Sequence, residues 1–372
     1  MGDGAVARGY GWRARRCVET AGGAWGCPVS AHESSLQDAS AQQASAVFDV
    51  ESAVGEFPLG RNWTALERPG FLSRVEQACG AFEWVTITYL AWLLAIFVTC
   101  HANIAHSGRY IALHVAIGAA IAAVCVAAER WPSSEALRFI RSWYPLPLYI
   151  FFFEELQALV HAIFPGWFDR WLIAFDYGFA QVHPAVWLAQ FANPALNDFM
   201  QLCYMTYFLF LVLLPAVLYL ARERAAFWTV MTATAMAHYT VYVIALLFPI
   251  ESPYYALASV NTKPLVGGPF TATIELVEHF GRVHGAAFPS AHVAGSMVAI
   301  WAAARYRRGL FWACLPFFVG MCVATVYGRY HYVADVLAGI VVGSVAWFAA
   351  DRLMLRRGAV PGVVTFAEHE AS

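Results

Sequence analysis

The chain has 372 residues, of which 60% are hydrophobic and 13% charged, with a formal net charge of −2 at pH 7. Ordinary soluble domains carry about 25% charged residues, so this balance describes a polytopic membrane protein, and a near-neutral charge gives no footing for a nucleic-acid partner. The 8 cysteines show no CxxC pair and no zinc-type spacing, so neither a metal site nor a disulfide framework is expected, and no cofactor is implied. Cys100, Cys125, Cys203, Cys314 and Cys322 fall in apolar runs and read as small buried hydrophobes.

Residues 1–80 are rich in Ala, Ser, Gly and Gln without a sustained apolar period, and read as a disordered cytoplasmic tail with one short amphipathic piece near 71–82. The basic cluster Arg13, Arg15, Arg16 is followed by no apolar run, so it is no signal peptide. A membrane domain over 81–357 then holds eight apolar segments, at 84–103, 110–128, 144–164, 199–220, 227–248, 289–304, 310–327 and 332–353. Most approach the ~20 residues that cross ~30 Å of hydrocarbon, and the sixth is short. Residues 358–372 read as a second cytoplasmic tail. The expected fold is therefore an all-α membrane helix bundle of about eight spans.

Basic residues orient it. Arg130, Arg138, Arg141, Arg222, Arg224, Arg305, Arg307, Arg308, Arg352, Arg356 and Arg357 gather on one side, in short connections and after the last span. Arg109, Arg170, Lys263, Arg282 and Arg329 lie on the other, mostly in two far longer loops. This asymmetry places both termini in the cytoplasm and turns the loops near 165–198 and 249–288 outward.

Two outward helix starts carry chemistry. His331 and Asp335, four residues apart, share a helix face, which is how a carboxylate fixes an imidazole as nucleophile or base. Arg329 adds a cation suited to phosphate. The alternative is a structural His–Asp pair at a helix end. Upstream, Phe288-Pro289-Ser290-Ala291-His292 opens the sixth segment, where Pro and Ser at a helix start leave backbone N–H groups free for an anion. One crossing in and one crossing out separate the two histidines, so both can line one extracytoplasmic pocket.

These residues resemble signatures of the type 2 phosphatidic acid phosphatases, the membrane branch of a superfamily shared with vanadium haloperoxidases. Phe288–His292 is similar to the second signature, and the run from His331 through Gly339 to the third. The resemblance implies a six-helix core and metal-free chemistry through a phosphohistidine. His331 would be the nucleophile, Asp335 its orienting partner, His292 the general acid, and Ser290 with nearby N–H groups a phosphate clasp. There are departures. The third signature carries its arginine six residues before the histidine; Thr325 stands there and Arg329 is the nearest substitute. The first signature is absent as such, leaving Lys263, followed by Pro264, and Arg282 as candidate phosphate-binding cations, or as a solvated lysine and an interfacial arginine.

The stretch 248–254, the loop with Asp169, Asp176 and His183-Pro184, and the run from Pro194 through Tyr204 to Tyr207 loosely resemble the branch that includes inositol phosphorylceramide synthases. That makes headgroup transfer to a polyol or lipid acceptor a rival of plain hydrolysis of a membrane lipid phosphate. In the third segment Glu154, Gln157 and His161 form one polar stripe, either an interhelical seam or a wall for a hydroxylated substrate. Glu155 points elsewhere, and His238 with Tyr242, four residues apart, either meets that stripe or, as the favoured reading, belongs to core packing. A non-catalytic transporter or lipid-phosphate binder is the reading of another class; it has no need of His292, His331 and Asp335 at one rim.

Overall fold

The computed structural model describes residues 71–356 apart from Thr262. The chain divides between Arg68 and Pro69, and the expectations for the 1–70 stretch and for 358–372 lie outside the described residues. Those residues are helical throughout, with no strand beyond one isolated bridge between Ile250 and Ala286.

The amphipathic piece expected near 71–82 begins with helix α1 (Phe71–Ala78). The bundle follows as α2 (Ala81–Thr99), α3 (Ser107–Arg130), α4 (Glu135–Trp143) and α5 (Pro145–Leu159). Next come α6 (Asp169–Ala180), α7 (Pro184–Ala189), α8 (Pro194–Leu220), α9 (Arg224–Leu247), α10 (Pro253–Ala256) and α11 (Pro269–Gly281). The last three are α12 (Ala291–Tyr306), α13 (Arg308–Tyr327) and α14 (Val333–Arg356).

Six of these, α2, α3, α8, α9, α13 and α14, are long and apolar enough to cross a bilayer, which makes this an integral membrane protein. The two other expected segments form helices of only 15 and 16 residues, α5 and α12, about 22–24 Å long at 1.5 Å per residue. Both have protein neighbours. Helix α12 is enclosed by α8, α9, α13 and α14, and α5 lies on α9. A helix walled in by protein need not match the hydrocarbon thickness, and its sequence is free to stop early. Together α5, α8, α9, α12, α13 and α14 form a six-helix group, with α2 added on the flank of α9 and α3 packed on α2.

Close helix approach sets the geometry of the site. On α14, Gly339 and Gly343 are one turn apart and face α12; a Cβ at Gly339 would come within 2.8 Å of the Ser290 carbonyl. Small residues at this spacing let two helix backbones come together. The starts of α12 and α14 are joined directly, the Ser290 N–H donating to the Asp335 carbonyl at 3.1 Å. The segments 160–193 and 248–290 cover the end of the bundle that carries these starts, while Glu83–Arg141 and Glu223–Arg307 pairs mark the opposite end.

Candidate active site

His331 stands just before α14 in the Gly328–Tyr332 turn. Its Nδ1 donates to the Ala287 carbonyl at 2.8 Å and lies 3.3 Å from Asp335 Oδ2. A carbonyl only accepts, so Nδ1 carries the proton and Nε2 keeps its lone pair. No hydrogen bond among the described residues engages that Nε2. Asp335 is fully buried, and the same Oδ2 also accepts the Tyr332 N–H at 2.8 Å. The pair does meet, but His331 lies outside α14, so the contact is made across the turn before the helix rather than on one helix face, with a carbonyl from the preceding loop as an unforeseen second holder.

The ring of His292, at the second position of α12, lies 5.8 Å from the ring of His331, centroid to centroid. Its Nε2 shares a 2.9 Å hydrogen bond with the hydroxyl of Tyr204 on α8, and Tyr207 packs against it at 4.4 Å. Ser290 is buried and caps α12, its Oγ accepting the Val293 N–H at 3.3 Å. That leaves the first-turn N–H groups of Ala291 and His292 without intrahelical partners. The hydroxyl proton of Ser290 also stays available.

The start of α14 is clasped from α6. Asp176 accepts from Val333 N–H at 2.9 Å and Ala334 N–H at 3.1 Å, so a carboxylate already sits where the helix end favours negative charge. Burial pushes its pKa up, against these two bonds that favour the charged form. Asp169 faces the same way and accepts weakly from Tyr332 Oη at 3.5 Å, and burial raises it to about 6. Asp169 and Asp176 are seven residues apart and so share one face of α6, while Trp171, Phe175 and Phe179 are exposed. That period was readable in the sequence; the partner of the acidic face was not.

The three candidate cations do not gather on the histidines. Arg329, in a left-handed conformation at φ 66°, is buried and donates to the carbonyls of Asn261 at 3.3 Å and Lys263 at 2.5 Å. Its Nε has no partner, and burial pulls its pKa down. Lys263 itself is exposed and donates to the Gln190 carbonyl at 3.3 Å. Arg282 pairs with Glu278 and lies over the ring of Tyr254 at 4.0 Å. No hydrogen bond among the described residues joins any of the three to Ser290, His292 or His331. Thr325, where the resemblance expects an arginine, instead offers its carbonyl to the N–H groups of Tyr330 and His331.

Glu154 and Gln157 of α5 meet the segment 281–284, while His161 lies past the helix end at Leu159 and leaves the expected stripe. Gln157 Oε1 accepts the His284 N–H at 2.7 Å, Glu154 stands against Gly281, and His161 bonds the Phe164 carbonyl and packs on Trp167. None of the three bonds to His292 or His331. Glu155 turns to His114 of α3, 3.0 Å away and fully enclosed. His238 bonds Tyr207 at 3.0 Å and the Thr234 carbonyl, and Tyr242 bonds the Tyr149 carbonyl, so both belong to the core as expected.

The described residues form an all-helical membrane bundle in which two histidine rings lie 5.8 Å apart, one of them backed by a buried aspartate. Residues 170–349, from α6 into α14, match the PAP2 superfamily model. No curated protein and no solved structure matches the chain.

Proposed function

We propose that the protein is a metal-independent phosphoesterase of the membrane, acting on a lipid phosphate through a phosphohistidine at His331. The observation that carries this reading is the imidazole with Nδ1–H fixed by a carbonyl and Asp335, its Nε2 lone pair free and a second imidazole 5.8 Å away, ring to ring. In the first step Nε2 attacks phosphorus, the P–O bond to the leaving group breaks, and that oxygen takes its proton from His292. In the second, water attacks phosphorus, His292 accepts the water's proton, the P–N bond breaks and its pair returns to Nε2. Asp335 steadies the cationic ring that exists between the two steps.

Ser290 and the first-turn N–H groups of α12 hold the phosphoryl oxygens in this scheme. Arg329 is the candidate cation, provided its guanidinium leaves the Asn261 and Lys263 carbonyls for the phosphate. A buried guanidinium with two carbonyl partners and no carboxylate lacks a counter-charge, and a substrate phosphate provides one. Lys263 and Arg282 act at longer range, from the loop above. The basic-residue asymmetry puts the termini in the cytoplasm and the site outside, in the cell membrane.

Mutation of the nucleophile tests this. His331→Ala should bring turnover of lipid phosphates and of an aryl phosphate down to background, with the elution profile of the purified protein unchanged. Retention of more than a few per cent of wild-type activity removes His331 from the role. Transfer to an acceptor hydroxyl is the second reading, because the same phosphohistidine serves either water or an alcohol. The α5 stripe beside the loop 281–284 offers such an acceptor polar partners.

A further inference from the structure

Helix α8 carries a polar stripe through an apolar bundle. Asn197, Gln201, Tyr204 and Tyr207 follow at spacings of four, three and three, which keeps them near one face. Each bonds a different part of the molecule. Asn197 accepts from the hydroxyl of Tyr327 on α13, and Gln201 donates to the hydroxyl of Tyr330 at 2.9 Å. Tyr204 meets His292 of α12 at 2.9 Å, and Tyr207 meets His238 of α9 at 3.0 Å. Packing alone does not call for four polar residues on one membrane helix, each costly when left unpaired.

The stripe holds the His292 imidazole on two sides, with Tyr204 at 4.8 Å and Tyr207 at 4.4 Å, ring to ring. Tyr204 is backed by the Tyr330 ring at 4.4 Å. Tyr207 is held through its hydroxyl. The Thr234 carbonyl accepts from His238 Nδ1 at 2.8 Å, so His238 Nε2 is the acceptor for the Tyr207 hydroxyl. His238 itself lies against α12 at Gly295, three residues beyond His292, where a Cβ would come within 2.7 Å of its ring. The Tyr207 hydroxyl is therefore committed to His238, and only that of Tyr204 serves His292, at Nε2. No hydrogen bond among the described residues engages His292 Nδ1.

We propose that Tyr204 is the positioning residue of His292, turning Nε2 toward α8 and leaving Nδ1 as the nitrogen that exchanges the proton. The protonated ring donates Nε2–H to Tyr204 Oη and Nδ1–H to the leaving oxygen. In the first step the Nδ1–H bond breaks, its electron pair stays on Nδ1, and the O–H bond of the alcohol forms. In the second, the proton of the attacking water goes to Nδ1. Nε2–H keeps its bond to Tyr204 throughout, so the ring need not turn between steps. The hydroxyl favours the cationic ring, because a bond from a charged donor is stronger than one between neutral groups.

This inference rests on the phosphohistidine reading above, and two measurements separate their fates. In the first, kcat/KM of the detergent-purified full chain is measured on phosphatidic acid and on a nitrophenyl phosphate, whose oxygen leaves without a proton. Tyr204→Phe keeps the ring and should lower kcat/KM on the lipid by about 10–100-fold, as loss of a charge-assisted hydrogen bond does. On the aryl ester the change should stay under about threefold, which also shows the site to be intact. Tyr207→Phe removes the hydroxyl committed to His238 and should leave the ratio of the two values as in the wild type. Equal losses on both esters in Tyr204→Phe, or an equally large change of ratio in Tyr207→Phe, overturn the proposal.

The second measurement needs no turnover. In protein carrying isotope-labelled histidine, nitrogen NMR identifies the His292 signals as those lost in His292→Gln. Tyr204→Phe should shift the Nε2 signal. Saturating inorganic phosphate, added to His331→Ala protein, should move the Nδ1 signal and leave Nε2 in place. An Nε2 signal that Tyr204→Phe leaves unchanged, or phosphate that moves Nε2 or neither nitrogen, overturns the positioning role. Absence of turnover of either ester by the wild type overturns the phosphohistidine reading, and the NMR measurement still decides which nitrogen Tyr204 holds.

Discussion

Each catalytic candidate is held by a partner. His331 is locked by the Ala287 carbonyl and Asp335, which fix the proton on Nδ1, and the Nε2 of His292 shares a hydrogen bond with the Tyr204 hydroxyl. If His292 protonates the leaving oxygen, His292→Ala should cost on the order of 10²–10⁴ in rate on lipid phosphates. The loss should shrink for aryl phosphates, whose oxygen leaves without a proton; an equal loss on every leaving group speaks against the acid role. Arg329 poses a sharper question, because loop carbonyls hold it now. A planar guanidinium can bind two phosphate oxygens together and an ammonium cannot, so Arg329→Lys should lower kcat by about tenfold or more with KM less affected. Near-normal kcat in Arg329→Lys, together with a collapse in Lys263→Ala or Arg282→Ala, moves the phosphate cation to the loop 249–288.

Among the elements, α6 matters more to the site than its length suggests. Twelve residues long, it carries exposed aromatics on one face and, on the other, the aspartate that closes the start of α14. Asp176→Ala leaves two N–H groups beside His331 without their acceptor, at about 1–3 kcal/mol each if water cannot reach them. The thermal midpoint in detergent should fall and turnover should drop with it. Asp176→Asn keeps one acceptor oxygen and should recover part of both. An unchanged midpoint in Asp176→Ala would show that water replaces the carboxylate there. The glycines of α14 act at the same scale: at Gly339 and Gly343 a larger residue pushes α14 off α12 and separates the histidines that the two helix starts bring together.

For the molecule as a whole, the proposed chemistry is arranged around α12, the helix that other helices enclose. Its start holds Ser290 and His292, α14 and the turn before it supply Asp335 and His331, α8 supplies Tyr204, and segments from two long connections roof the same end. Nothing in this arrangement supplies a hard-cation site: among the described residues no three His, Cys, Asp or Glu side chains group as metal ligands. Turnover should therefore survive excess EDTA at full rate. Complete loss, restored by one divalent ion, would require a metal that the proposed mechanism does not use.

The sequence by itself determined the membrane class, the helical fold and the pairing of His331 with Asp335. Those properties are local: apolar runs of membrane length, and an i, i+4 spacing that any helix start brings onto one face. It also indicated that His292 and His331 lie at the same end, since two successive apolar segments separate them, and the two rings are 5.8 Å apart. What faces a helix from elsewhere in the chain was decided by tertiary structure. The eight apolar runs look alike in composition; the sixth is visibly short, but only packing shows that four other helices enclose α12. The period of Asp169 and Asp176 shows that they share a face but not that the face meets the start of α14. Tyr204 and the Ala287 carbonyl lie 88 and 44 residues from the histidines they hold. Arg329 shows the limit most plainly. Its sequence position suggested a substitute for the missing phosphate cation, whereas a left-handed turn and two loop carbonyls direct its guanidinium to Asn261 and Lys263, more than sixty positions back along the chain.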